Sequence, residues 1–137
     1  MAWVGIDGGN VHHNTIYLSE KWVGRILQEN TDSRFGQCRN GKFEHNIVVY
    51  DQRVRTLINV GGNTEPQSFT FRGNAWFSID SPDRGPSNLP VAETDGIFGV
   101  DPQLEIEATT NLLKVRSRDP KLQGIGAGAF RQAGEPK

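Results

Sequence analysis

Two arginines, two histidines and a few aromatic residues are the side chains in this sequence whose types and spacing could do chemistry. Arg25 and Arg55 recur in two similar apolar runs, Val23-Gly-Arg-Ile-Leu-Gln28 and Val54-Arg-Thr-Leu-Ile-Asn59. With Lys21 and Arg53 they could line a basic stripe facing an acidic sugar. The competing reading is a solvated strand face whose cations pair with Glu29, Glu44 or Asp51. His13 and His45 also recur, each followed by Asn, with His12 beside the first. Imidazoles bind metals, but no third ligand is identifiable, so stacked turn histidines are preferred and no metal or cofactor is expected. Trp22, Tyr17 and Tyr50, together with Trp76, could stack on sugar rings if exposed, or else fill a core or cap. Asp80 and Asp83 fall in a proline-rich loop, where capping a turn is favoured over holding calcium. Cys38, the single cysteine, permits no intramolecular disulfide and reads as an inert thiol in a loop.

These residues need elements to position them, and an internal repeat supplies those elements. Val11-His-His-Asn-Thr-Ile-Tyr17 and Phe43-Glu-His-Asn-Ile-Val-Val49 share His-Asn at one place, and each follows a glycine-containing turn. A looser third copy, Phe69-Thr-Phe-Arg-Gly-Asn-Ala-Trp-Phe77, sets Asn74 in the place that Asn14 and Asn46 hold in the first two. A period of roughly 30 residues with short strands and no helical stretch fits stacked coils better than hairpins, which would repeat at roughly 8–12 residues. The spacing predicts parallel strands over 11–17, 23–28, 43–50, 54–60 and 69–77. Asn tolerates a left-handed backbone, so Asn14, Asn46 and Asn74 are expected to turn the chain between strands and to hydrogen-bond up the corner as a ladder. Residues 28–41 and 81–90 read as loops, and Leu112-Leu-Lys-Val-Arg116 as a further strand. The last residues, 133–137, are expected to fray.

Composition agrees. The 137 residues fit one domain, and 16 glycines, 7 phenylalanines and 3 tryptophans favour strands joined by tight turns. The 15 basic and 16 acidic residues nearly cancel, so no basic excess points to nucleic acid. Mean hydropathy is −0.54, and no apolar run is long enough to span a bilayer as a helix. The opening Met1-Ala-Trp-Val-Gly-Ile-Asp7 has no basic or apolar region of a signal peptide.

The coils at 11–17 and 43–49 resemble those of right-handed parallel β-helix proteins of the pectate-lyase-like superfamily. So do Asp95-Gly-Ile-Phe-Gly-Val-Asp-Pro102 and the stretch from Leu113 to Gly128, which look like the segment following the last coil. The resemblance implies an all-β fold: a short right-handed parallel β-helix, a solenoid of about three coils, over 1–80, with an irregular loop-rich cap over 81–137 packing on the last coil. It also implies the C-terminal portion of a longer carbohydrate-active protein, secreted or periplasmic. The function expected is binding or structural, toward acidic polysaccharide, without catalysis by this chain alone. The rival is a polysaccharide lyase or glycoside hydrolase using Arg25 or Arg55 beside His13 or His45, with Trp22, Tyr17, Tyr50 and Lys21 holding substrate. Because only Met1–Asp7 precedes the first repeat, Trp3, Val4 and Ile6 are expected to stay partly bare at an open solenoid end, where a homodimer would cover them.

Overall fold

A computed structural model describes residues 1–109 and 112–129; the expectation for 133–137 lies outside them. The chain is all-β. Its strands are β1 (Ala2–Val4), β2 (Asn10–His12), β3 (Thr15–Tyr17), β4 (Gly24–Leu27), β5 (Lys42–Glu44), β6 (Ile47–Tyr50), β7 (Ile58–Val60), β8 (Thr70–Arg72), β9 (Ala75–Ser78), β10 (Ile97–Phe98), β11 (Leu104–Thr109) and β12 (Leu112–Ser117). Three sheets are entirely parallel, in the orders β1-β4-β7, β2-β5-β8 and β3-β6-β9-β10. From β1 to β9, successive strands of the chain fall in different sheets and return to each in turn, an arrangement consistent with a β-solenoid. Each predicted strand at 11–17, 43–50 and 69–77 is in fact two, bent at the corner between the second and third sheets.

Alternation along each strand sends one face inward. Register then stacks like on like: Val11, Phe43 and Phe71 form one inward column, and Ile16, Val48 and Trp76 another. Trp3 meets Phe43 and Phe69 edge-on with ring centroids 6.3 and 5.4 Å apart. Trp3 is therefore buried, contrary to expectation, because it points inward from β1, whereas Val4 and Ile6 are exposed. Cys38 also points inward, fully buried in this core, and its backbone N–H donates to Gln28 Oε1 at 2.9 Å.

The outward face of the third sheet is apolar too, and the C-terminal segment covers it. Ile47, Val49 and Ala75 pack there with buried Leu122, flanked by Phe77, Ile97, Val100, Leu104 and Ile125. The backbone N–H of Gly126 donates to the His45 carbonyl (2.8 Å), and that of Ala127 to Thr15 Oγ1 (3.0 Å), so this strap reaches back to β3. Residues beyond 80 thus do three things. Thr94 bridges Arg72 and β10 pairs β9, which continues the stack. Leu89 and Val91 close the end of the main core. The strap and the antiparallel hairpin β11–β12 lie along the flank.

Candidate functional site

The corner between the second and third sheets carries a continuous ladder of side-chain hydrogen bonds. Asn14 donates its backbone N–H (2.8 Å) and Nδ2 (3.1 Å) to Asn46 Oδ1. Asn46 donates the same two groups to Asn74 Oδ1, at 2.9 and 3.0 Å. Asn74 gives them to Glu93 Oε1, at 2.9 and 3.1 Å, and Glu93 Oε2 also accepts from Trp76 Nε1 at 3.0 Å. The ladder expected from the sequence is present, but the left-handed residue is the one before each Asn. His13, His45, Gly73 and Asp95 carry φ values of 52, 53, 63 and 54°. The Asn side chain must lie along the stack to bond its neighbours, so the preceding residue takes the turn. Glu93 was not anticipated: it has no counterpart in the repeat, and Gly96 holds the position in register with Asn74.

Burial is the chief influence on Glu93 and pushes its carboxyl above the usual range, opposed by its bonds to Asn74 and Trp76. His13 stacks on His45 (centroids 5.2 Å apart, planes 20° apart), and its Nδ1 lies 2.9 Å from that of His12. Its pKa is lowered, first by burial and then by the charges of His45 and His12, while a bond to the Gly124 backbone opposes this. A side chain at Gly73 would strike the His45 ring, with Cβ 2.8 Å from its Cδ2. Among the described residues no three or more His, Cys, Asp or Glu side chains converge as a metal site. Asp80 accepts the Gln52 backbone N–H at 2.7 Å, a turn-capping contact.

The second cluster is on the first sheet. Arg25 faces outward from β4, because Gly24 and Ile26 on either side are buried. Its guanidinium carbon lies 4.3 Å from the centroid of the Trp22 ring, and Lys21 Nζ lies 4.4 Å from it. Arg25 Nε also donates to Asn59 Oδ1 at 3.1 Å. The aromatic ring thus has two cations against it, with a carboxamide holding one of them in place.

The structure does not bring the other proposed residues to this cluster. Arg25 is in register with Asn59, not with Arg55, because Gly24 pairs with Ile58 and sets the alignment of the two strands. Arg55 is exposed in the β6–β7 connection, and Arg53 there pairs with Asp51 at 2.9 Å. His13 and His45 occupy the Asn corner, whereas Arg25 is on the first sheet. Tyr50 is buried at 5% exposure and donates its hydroxyl to the Arg84 carbonyl at 3.3 Å. Tyr17 is 60% exposed and lines an apolar groove of about 560 Å³ with Phe77, Ile79, Leu104 and Ile106.

Comparison with protein families, with curated proteins and with solved structures finds no match.

Proposed function

We propose that this chain is a short right-handed parallel β-helix module of about three coils, of the pectate-lyase-like kind. Its role is to bind acidic polysaccharide, and it is not catalytic alone. The observation that carries this reading is the pair of cations, Lys21 and Arg25, against the Trp22 ring. An aromatic ring packs on the apolar side of a pyranose, and the cations that lie over this one favour a sugar that bears a carboxylate. A guanidinium is donor-only and suits carboxylate binding better than proton abstraction. The stacked imidazoles that a lyase or hydrolase reading would pair with it sit on a different corner. The expected result is that uronate oligosaccharides bind in calorimetry, neutral glucans do not, and Trp22→Ala weakens binding at least about tenfold. Equal binding of neutral and acidic sugars would overturn the reading. So would unsaturated product accumulating in a manner that Arg25→Ala abolishes.

A further inference from the structure

We propose that the end of the stack bearing the free edges of β1, β2 and β3 is a docking site for one added rung. That rung is an extended segment with Asn at the corner, an apolar side chain three residues before it and another two residues after. The proposal stands apart from any sugar binding.

The ladder shows what this end lacks. At interior rungs, Nδ2 of each Asn also donates to a carbonyl of the rung before: Asn46 to Val11 (3.0 Å) and Asn74 to Phe43 (2.8 Å). Asn14 instead turns that bond onto its own strand, to the His12 carbonyl at 2.9 Å. Its Oδ1 accepts no hydrogen bond among the described residues, whereas Oδ1 of Asn46 and of Asn74 each accepts two. The missing partners are therefore one carbonyl and one pair of donors. An Asn-bearing rung in the same register supplies both: the carbonyl comes from the residue three before its Asn, the donors from the Asn itself.

The apolar complement agrees. A cavity of about 580 Å³ opens at this end, lined by Met1, Val11, Ile16 and Val23 among others. One rung further in, Phe43 stands over Val11 and Val48 over Ile16, both fully buried. A rung with side chains of that kind would fill the cavity while its backbone paired the edges by strand addition. A second copy does not fit these demands. A two-fold pair would run the partner's strands antiparallel to β2 and β3, out of the ladder's register, and where the axis passed through the corner it would set acceptor against acceptor. Head-to-tail stacking would meet Glu93 and the residues that close the far end.

The test mixes the 137-residue chain with a synthetic peptide of sequence Lys42–Tyr50, and with the same peptide carrying Asn46→Ala. The Asn peptide should bind about tenfold or more tightly than the Ala peptide, the worth of one to two hydrogen bonds. It should also slow amide exchange in β2 and β3. Asn14→Leu in the protein, at an exposed position, should remove the difference between peptides. Val11→Lys, which charges the cavity but keeps the Val11 backbone carbonyl for Asn46, should abolish binding of both. Equal affinity for the two peptides, no binding at millimolar concentration, discrimination that survives Asn14→Leu, or a dimer that excludes the peptide would each overturn the proposal.

Discussion

Asn46 is fully buried, and its Oδ1 and Nδ2 are both bonded within the ladder. Asn46→Ala leaves the Asn14 N–H and the Val11 carbonyl short of partners, so denaturant unfolding should show a loss of about 2–4 kcal/mol. Glu93→Gln keeps one oxygen for Asn74 but turns an NH2 toward the Trp76 N–H, and should cost about 1–2 kcal/mol. The titratable groups here act in opposite directions. His13 has its pKa lowered, so stability is lost as pH falls through the ordinary histidine range toward that lower value. Glu93 has its pKa raised, so relative stability grows as pH falls from the raised value toward the ordinary glutamate value. His13→Asn, which tolerates the left-handed corner, should flatten the loss that sets in as pH falls through the ordinary histidine range, when unfolding is followed against pH. The Asn column was legible because amides that bond one another must recur on each pass of the chain. Which residue turns left-handed was not, since His, Gly and Asp fill that position without a common type. Glu93 was hidden because it ends the column from outside the period.

At the scale of elements, the strap over the third sheet depends on close approach. Gly126 has φ +75°, and a Cβ there would lie 2.5 Å from Ile47 Cδ1. Gly126→Ala should lift the strap, speed amide exchange over residues 122–127 and cost about 1–3 kcal/mol, with the parallel sheets retained. In the hairpin, Glu105 is held at a pKa of about 2 by Arg118 first and Arg116 second, so its charge persists well into acid. The hairpin partner β11 did leave a signal in the sequence. Leu104, Ile106 and Ala108 alternate with Glu105 and Glu107, the period of a half-buried strand, and only β12 was anticipated. The recurrence of Arg25 and Arg55 in similar runs suggested equivalence, yet the connections before β4 and β7 differ in length. Spacing measured from one corner therefore misplaces residues in the first sheet.

For the whole molecule, protection should follow position in the stack rather than strand length. Strands β6 and β9 lie between neighbours and carry fully buried Val48 and Trp76, so their amides should exchange slowest, while β1 to β3 at the free edge exchange first. Uniform protection from the edge strands to the interior ones would show that the edge is already covered in solution. The ladder that joins these rungs also has a direction. From Asn14 through Asn46 to Asn74, the backbone N–H and one side-chain N–H of each Asn point toward Glu93, so the amide dipoles add head to tail with their positive ends toward a carboxylate, as peptide dipoles do along a helix. The anion at one end and the open carbonyl oxygen of Asn14 at the other are then poles of a single polarised column. Cutting it in the middle should be felt at Glu93 without any contact changing there: Asn46→Leu should raise the Glu93 pKa further, read by carboxyl NMR titration. An unmoved Glu93 would mean that each rung of the ladder is polarised only by its immediate neighbour.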